Sequence, residues 1–130
     1  ADRGDFQLPV ERPAIERLTS EFPNLQTIAA TLRRVHTAGV NDWGSLCWHK
    51  GFYFRSRNYP RFDILDRIGA GDSFVAGLIY GLLVENDPQA AIDLGAAHGA
   101  LAMTTPGDTS MATLPEVRSL AKAASAAVQR

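Results

Sequence analysis

The sequence is poor in the features that mark several function classes. Cys47 is its one cysteine, which rules out an internal disulfide and a cysteine metal cluster and reads as a small strand hydrophobe. His36 is a lone histidine with no partner at metal-ligand spacing. No charge sign dominates: 13 Lys and Arg stand against 14 Asp and Glu, for a net charge of −1. That balance gives no basic surface for nucleic acid, and no run of like charge forms an interaction tail. The longest apolar run, Phe74 to Val84, is too short to span a bilayer and is broken by glycines. The polar, charged N-terminus carries no signal-peptide pattern, so the expectation is a cytoplasmic protein that binds neither membrane nor nucleic acid. At 130 residues, 45% hydrophobic, the chain has material for one domain with a core, not two.

What is present is organised around one stretch, Asp66-Arg67-Ile68-Gly69-Ala70-Gly71-Asp72-Ser73-Phe74-Val75-Ala76-Gly77-Leu78. An apolar run, Phe62 to Leu65, leads into a turn of small residues and then into an apolar, Gly/Ala-rich segment. The pattern reads as strand, glycine loop, buried helix. Such a loop presents bare backbone N–H groups at a helix N-terminus, where the helix dipole favours anions. Asp72 falls in the first turn of that helix. Amides that hold a phosphoryl group beside a carboxylate that takes a hydroxyl proton would suit phosphoryl transfer. The stretch is not a Walker A loop, because no Gly-Lys-Ser/Thr follows, and Phe74 stands where a dinucleotide fingerprint needs its third glycine. On spacing alone, a phosphate cradle and a purely structural βα turn both remain open.

Asp66 to Leu78 resembles the second signature of the ribokinase-like, phosphofructokinase-B-type carbohydrate kinases. Arg67 departs from the usual small residue at its position. The Asp66-Arg67 pair and the phrase from Gly71 to Leu82 are similar to the 2-keto-3-deoxygluconate kinase branch. The resemblance runs from about Phe22 to the C-terminus. It implies an α/β fold, the C-terminal part of a ribokinase-like three-layer α/β/α sandwich. Residues 1–130 would be a single domain, the nucleotide-binding portion, with the family's N-terminal half and lid absent.

The rest of the chain is read in order. Val10 to Phe22 reads as a short helix with Pro13 in its first turn and Ile15, Leu18 and Phe22 on one face. Leu25 to Leu32 reads as a buried parallel strand, with Arg33 and Arg34 at its C-terminal end, the edge where open α/β sheets bind ligands. Thr31-Leu32-Arg33 resembles the family's strand end whose following loop touches the nucleotide, while Arg34 reads as a solvated surface charge. Thr37 to Gly44 reads as a loop, Ser45 to His49 and Phe52 to Ser56 as a hairpin turning at Lys50-Gly51, and Tyr59 to Leu65 as another strand. The aromatics Trp48, Phe52 and Phe54 are assigned to hairpin packing. Ser73 to Val84 reads as a helix whose Gly77 and Gly81 permit close packing. Asp87-Pro88 caps a second helix, Gln89 to Thr104, with Ala91, Leu94, Gly95, His98, Leu101 and Ala102 on one face. Pro115 to Gln129 is a last helix, with Val117, Leu120, Ala121 and Ala124 inward.

The resemblance also assigns roles. Asp72 is the expected catalytic base and contacts the substrate hydroxyl. Thr31, Arg33, Gly69, Ala70, Gly71, Asp72 and Ala96 are the expected nucleotide contacts; the helix that carries Ala96, Ala97 and Gly99 borders the adenine in the family. Asp108, at the tip of the Thr104 to Asp108 turn, would bind hydroxyls of a sugar acid; its bland reading is an Asx-type loop residue. Asp66 corresponds to a residue that helps hold a monovalent cation in some relatives. The implied reaction is ATP-dependent phosphorylation of 2-keto-3-deoxygluconate to its 6-phosphate. Mg²⁺ would ride on ATP phosphates and water, with no dedicated protein metal site. A homo-oligomer is expected of the full-length family member. The competing readings are a fructose, ribose or nucleoside kinase of the same family, or a catalytically incomplete nucleotide-binding fragment.

Overall fold

The structure, a computed structural model, describes residues 8–104 and 112–128. Helix α1 spans Leu8–Glu21, and four strands follow: β1 Thr27–Thr37, β2 Val40–His49, β3 Phe52–Arg55 and β4 Tyr59–Asp63. Helix α2 is Ala70–Tyr80, continued by a π-helical turn at Gly81–Glu85; α3 is Pro88–Met103 and α4 is Leu114–Val128.

Strand β2 is the centre of the sheet. It pairs with β1 on one side and with β3 and β4 on the other, always antiparallel. Side chains alternate along a strand, so β2 serves two cores. Trp43 and Cys47 face α2 and α3, in a cluster with Phe74, Leu78, Ile92 and Met103. Leu46 and Trp48 face the other way, with Leu32 of β1 and Ile15 of α1. The sheet is therefore held between α1 on one face and the α2–α3 pair on the other, the three-layer α/β/α arrangement expected.

Several expectations need correcting. The first strand is antiparallel, starts at Thr27 and continues through Arg33, Arg34 and His36 to Thr37. Its second half is exposed apart from Leu32, so its polar residues are those of an outer ribbon and not of a strand terminus. Asn41 and Asp42 belong to β2, not to a loop, and both are buried. Asp42 explains how that is tolerated. Its Oδ1 accepts the Arg61 N–H at 2.7 Å and the His36 ring at 2.9 Å. The β2–β4 register slips between Asn41 and Trp43, and the carboxylate satisfies an amide where the ladder is interrupted. Among the described side chains of α1 Ile15 alone is buried; Leu18 and, just past the helix, Phe22 are exposed at 38% and 55%. Phe52 is 70% exposed, so it packs no hairpin core. Helix α3 is buried around most of its circumference, Ile92, Ala96, Ala97 and Ala100 included, which a one-faced pattern does not convey.

Local signals account for the rest. Lys50 and Gly51 take positive φ angles of 49° and 93°, as a two-residue hairpin turn requires. Asp87 caps α3 by accepting the Gln89 N–H at 3.0 Å, and Pro88 opens the helix. Thr113 and Glu116 form a reciprocal capping box at the start of α4. Helices α2 and α3 meet through glycine: a Cβ on Gly77 would lie 2.8 Å from the Gly95 Cα, and one on Gly81 would lie 2.3 Å from the Ala91 Cα.

Candidate functional site

The turn between β4 and α2 is pinned from behind. The Met103 carbonyl, at the end of α3, accepts both the Leu65 N–H at 2.9 Å and the Asp66 N–H at 3.0 Å. The Asp66 carboxylate accepts the Ile68 N–H at 3.0 Å, an Asx turn that sends the chain towards the helix. Gly69, with φ 87°, makes the left-handed bend that an L side chain resists, and its carbonyl starts the helix by accepting the Ser73 N–H at 2.9 Å. The Ala70 N–H is taken by the Arg67 carbonyl at 3.3 Å. The next two amides, of Gly71 and Asp72, have no acceptor among the described residues. Both residues are exposed, and a Cβ on Gly71 would meet no atom within 4 Å. The positive end of α2 thus carries two amides under open space, with the Asp72 side chain on the same turn.

Helix α3 holds this end of α2 in place. His98 hydrogen-bonds the Ser73 backbone, and its burial pushes the imidazole below its ordinary pKa, so the neutral form is favoured. A Cβ on Gly99 would lie 3.3 Å from the Ala70 carbonyl and 2.6 Å from Trp43 Cζ2. Only glycine lets the helix N-terminus, α3 and the indole meet there. Trp43 completes the contact by donating its Nε1–H to the Ala96 carbonyl at 2.9 Å.

The structure brings together Gly69, Ala70, Gly71 and Asp72. It does not bring all the other expected contacts to their surface. Thr31 and Arg33 are exposed on β1, on the sheet face that carries Trp43, which pairs across the strands with Arg33. Ala96 is 1% exposed and faces the sheet, covered by the indole. Asp108 lies outside the described residues. Three supports of the site were not picked out from the sequence: Trp43, the Met103 carbonyl and the His98 bond to Ser73. The only sequence signal for them was the Gly99 that α3 keeps opposite a large aromatic.

A second concavity of about 210 Å³ lies farther along α2, lined by Ala76, Gly77, Tyr80, Leu94, His98 and Val117 among others. Tyr80 is fixed there by Arg118, which donates to its hydroxyl at 2.9 Å and pairs with Glu85 at 3.1 Å. Among the described residues no three His, Cys, Asp or Glu side chains gather as a metal site, and no helix is long and apolar enough to cross a membrane.

Comparison with known proteins gives this geometry a family. A 2-dehydro-3-deoxygluconokinase structure from Thermotoga maritima superposes with a TM-score of 0.83 at 34% identity, covering 89% of this chain and 35% of that one. A 2-dehydro-3-deoxygalactonokinase of Haloferax volcanii is 31% identical over 87 residues, 67% of this chain and 27% of its own length. The 1-phosphofructokinase of Escherichia coli is 44% identical over 45 residues, 35% of this chain and 14% of its own length. The chain therefore spans about a third or less of the relatives it matches. The profile of the pfkB family carbohydrate kinases matches residues 26–115, which include β1 to β4, the glycine turn, α2 and α3, and the chain belongs to that family.

Proposed function

We propose that this chain forms the nucleotide-side phosphoryl-transfer site of an ATP-dependent sugar-acid kinase. Residues 1–130 act as one domain, and 2-keto-3-deoxygluconate is converted to its 6-phosphate. The observation that carries the reading is the open pair of amides at Gly71 and Asp72 beside an exposed carboxylate. The names of the Thermotoga and Haloferax relatives support a sugar acid as acceptor.

ATP supplies the phosphoryl group, with Mg²⁺ carried on its phosphates. The residues of the chain do the rest. The Gly71 and Asp72 amides donate to phosphoryl oxygens as charge builds on them. The Asp72 carboxylate takes the proton of the sugar's primary hydroxyl. Gly69 and the Met103 carbonyl hold the turn so that these donors need not reorganise during transfer. Asp108 binds sugar hydroxyls: it follows α3 by a few residues, and α3 ends against the strand that feeds the turn. Arg33, exposed beside Trp43, meets the nucleotide from the sheet side. The proposal includes a cytoplasmic location for the enzyme.

The E. coli 1-phosphofructokinase match favours a second reading, a sugar phosphate as acceptor. ADP release from the polypeptide that carries this sequence, measured with 2-keto-3-deoxygluconate, 2-keto-3-deoxygalactonate, fructose 1-phosphate and ribose, decides between them. Turnover with 2-keto-3-deoxygluconate above the other three supports the proposal. Preference for fructose 1-phosphate overturns the sugar-acid assignment, and no turnover with any of them leaves the chain a nucleotide-binding unit.

A further inference from the structure

Arg67 occupies the one position in the glycine turn with a strongly cationic side chain, between the Asp66 turn and the Gly69 bend. Its side chain is exposed, and its carbonyl accepts the Ala70 N–H at 3.3 Å, so its backbone is fixed against the first residue of α2. Ion pairs among the described residues include Arg34–Asp42, His36–Asp42 and Arg118–Glu85, and Arg67 takes part in none of these. Asp66, its neighbour, places Oδ1 on the Ile68 N–H. An arginine with no ion pair among the described residues thus precedes, by three residues, the positive end of a helix and its two open amides. Like charge gathered in this way is unfavourable until an anion joins it.

We propose that Arg67 is a polyphosphate-binding residue of this site. Its guanidinium forks onto oxygens of the phosphoryl groups held by the Gly71 and Asp72 amides, and so selects a di- or triphosphate over a singly charged anion. A planar fork of donors suits phosphate geometry better than a point charge does. The substrate carboxylate is the poorer partner. The acceptor hydroxyl must reach Asp72, which leaves the carboxylate at the opposite end of a sugar acid, away from the turn. The assignment rests on the phosphoryl-transfer reading and adds a residue to it.

The test is calorimetric titration of magnesium pyrophosphate, magnesium ATP and 2-keto-3-deoxygluconate into the polypeptide and its Arg67→Ala, Arg67→Lys and Gly71→Val variants. Because both positions are exposed, far-UV circular dichroism should be unchanged. Arg67→Ala should weaken pyrophosphate and ATP by about 10-fold or more, Arg67→Lys should recover part of the loss, and sugar-acid binding should hold. Equal pyrophosphate binding by Arg67→Ala and the parent overturns the assignment and leaves the kinase reading standing. Loss of sugar-acid binding alone also overturns it, by moving Arg67 to the carboxylate. If the parent binds neither phosphate ligand and Gly71→Val changes nothing, the phosphoryl-transfer reading itself fails, and this assignment with it.

Discussion

The Trp43 indole donates its Nε1–H to the Ala96 carbonyl across 2.9 Å, joining the central strand to the middle of α3. The bond is buried, and the indole also fills the space that Gly99 leaves open. Replacing Trp43 by Phe keeps most of the apolar contact and leaves the carbonyl without its donor. We expect a loss of about 1–3 kcal/mol in urea or guanidinium unfolding. Because the indole steadies the face that carries Gly99, nucleotide affinity should fall with it. A Trp43→Phe variant of unchanged stability would show that the bond holds nothing.

Gly81 and Gly77 make a sharper prediction about packing. A Cβ at Gly81 would come within 2.3 Å of the Ala91 Cα, and one at Gly77 would meet the Leu94 carbonyl and Gly95 Cα at 2.8 Å. These are backbone atoms, which cannot swing aside as a side chain can. Alanine favours helix by about 1 kcal/mol over glycine, so an isolated helix would gain from either change. In this protein both should destabilise by about 1–3 kcal/mol, Gly81→Ala the more. A raised melting temperature for either variant would contradict the close approach of the helices.

Gly71 behaves in the opposite way. A Cβ there meets nothing within 4 Å, so Gly71→Ala should be neutral or stabilising by up to about 1 kcal/mol. Its methyl group nevertheless projects into the space in which an anion would sit. Thermal melts and ATP titration of one variant should therefore move apart, with stability held and affinity reduced.

Acid should weaken the fold in two stages. Burial pushes His98 below its ordinary value of 6.5, and the bond to Ser73 only partly offsets that. The unfolded chain then binds the proton more readily, so the contribution of neutral His98 is complete above pH 6.5 and declines as pH falls below it. Asp42 acts lower. Burial pushes its carboxyl up, but the Arg61 N–H, the His36 ring and the Arg34 charge together outweigh burial and hold it below 3.8. Its contribution is present above pH 3.8 and is lost as pH falls through its folded value. Unfolding free energy measured from pH 8 to pH 3 should show both declines, and Asp42→Asn should remove the lower one. A profile for that variant parallel to the parent's throughout would refute the role given to Asp42.

Legibility from sequence followed how local each feature is. The glycine turn, the Asp87 cap, the Lys50-Gly51 hairpin and the close helix pair were readable because each depends on a few adjacent residues. The direction and length of β1 were not. Arg33 and Arg34 read as the end of a strand because their polarity signals exposure, and an outer ribbon is exposed too. Asn41 and Asp42 read as loop because they favour turns; the partners of buried Asp42 are His36 and Arg61, the latter distant in the chain. The Thr113–Glu116 capping box was present in the sequence as Thr-x-x-Glu and went unused. At the site, the glycine turn and the place of Asp72 in the first turn of α2 were legible from one motif. The struts behind them, Trp43 and the Met103 carbonyl, come together only in the fold.

The most direct test of the account is Asp72→Asn. The substitution keeps the size and exposure of the side chain and removes the base. In the polypeptide that carries this sequence, ATP affinity by titration should stay within about 2-fold, because the amides proposed to hold phosphate are untouched, while ADP release with sugar acid should fall by about 10²–10⁴. Turnover equal to that of the parent would contradict the claim that Asp72 deprotonates the acceptor.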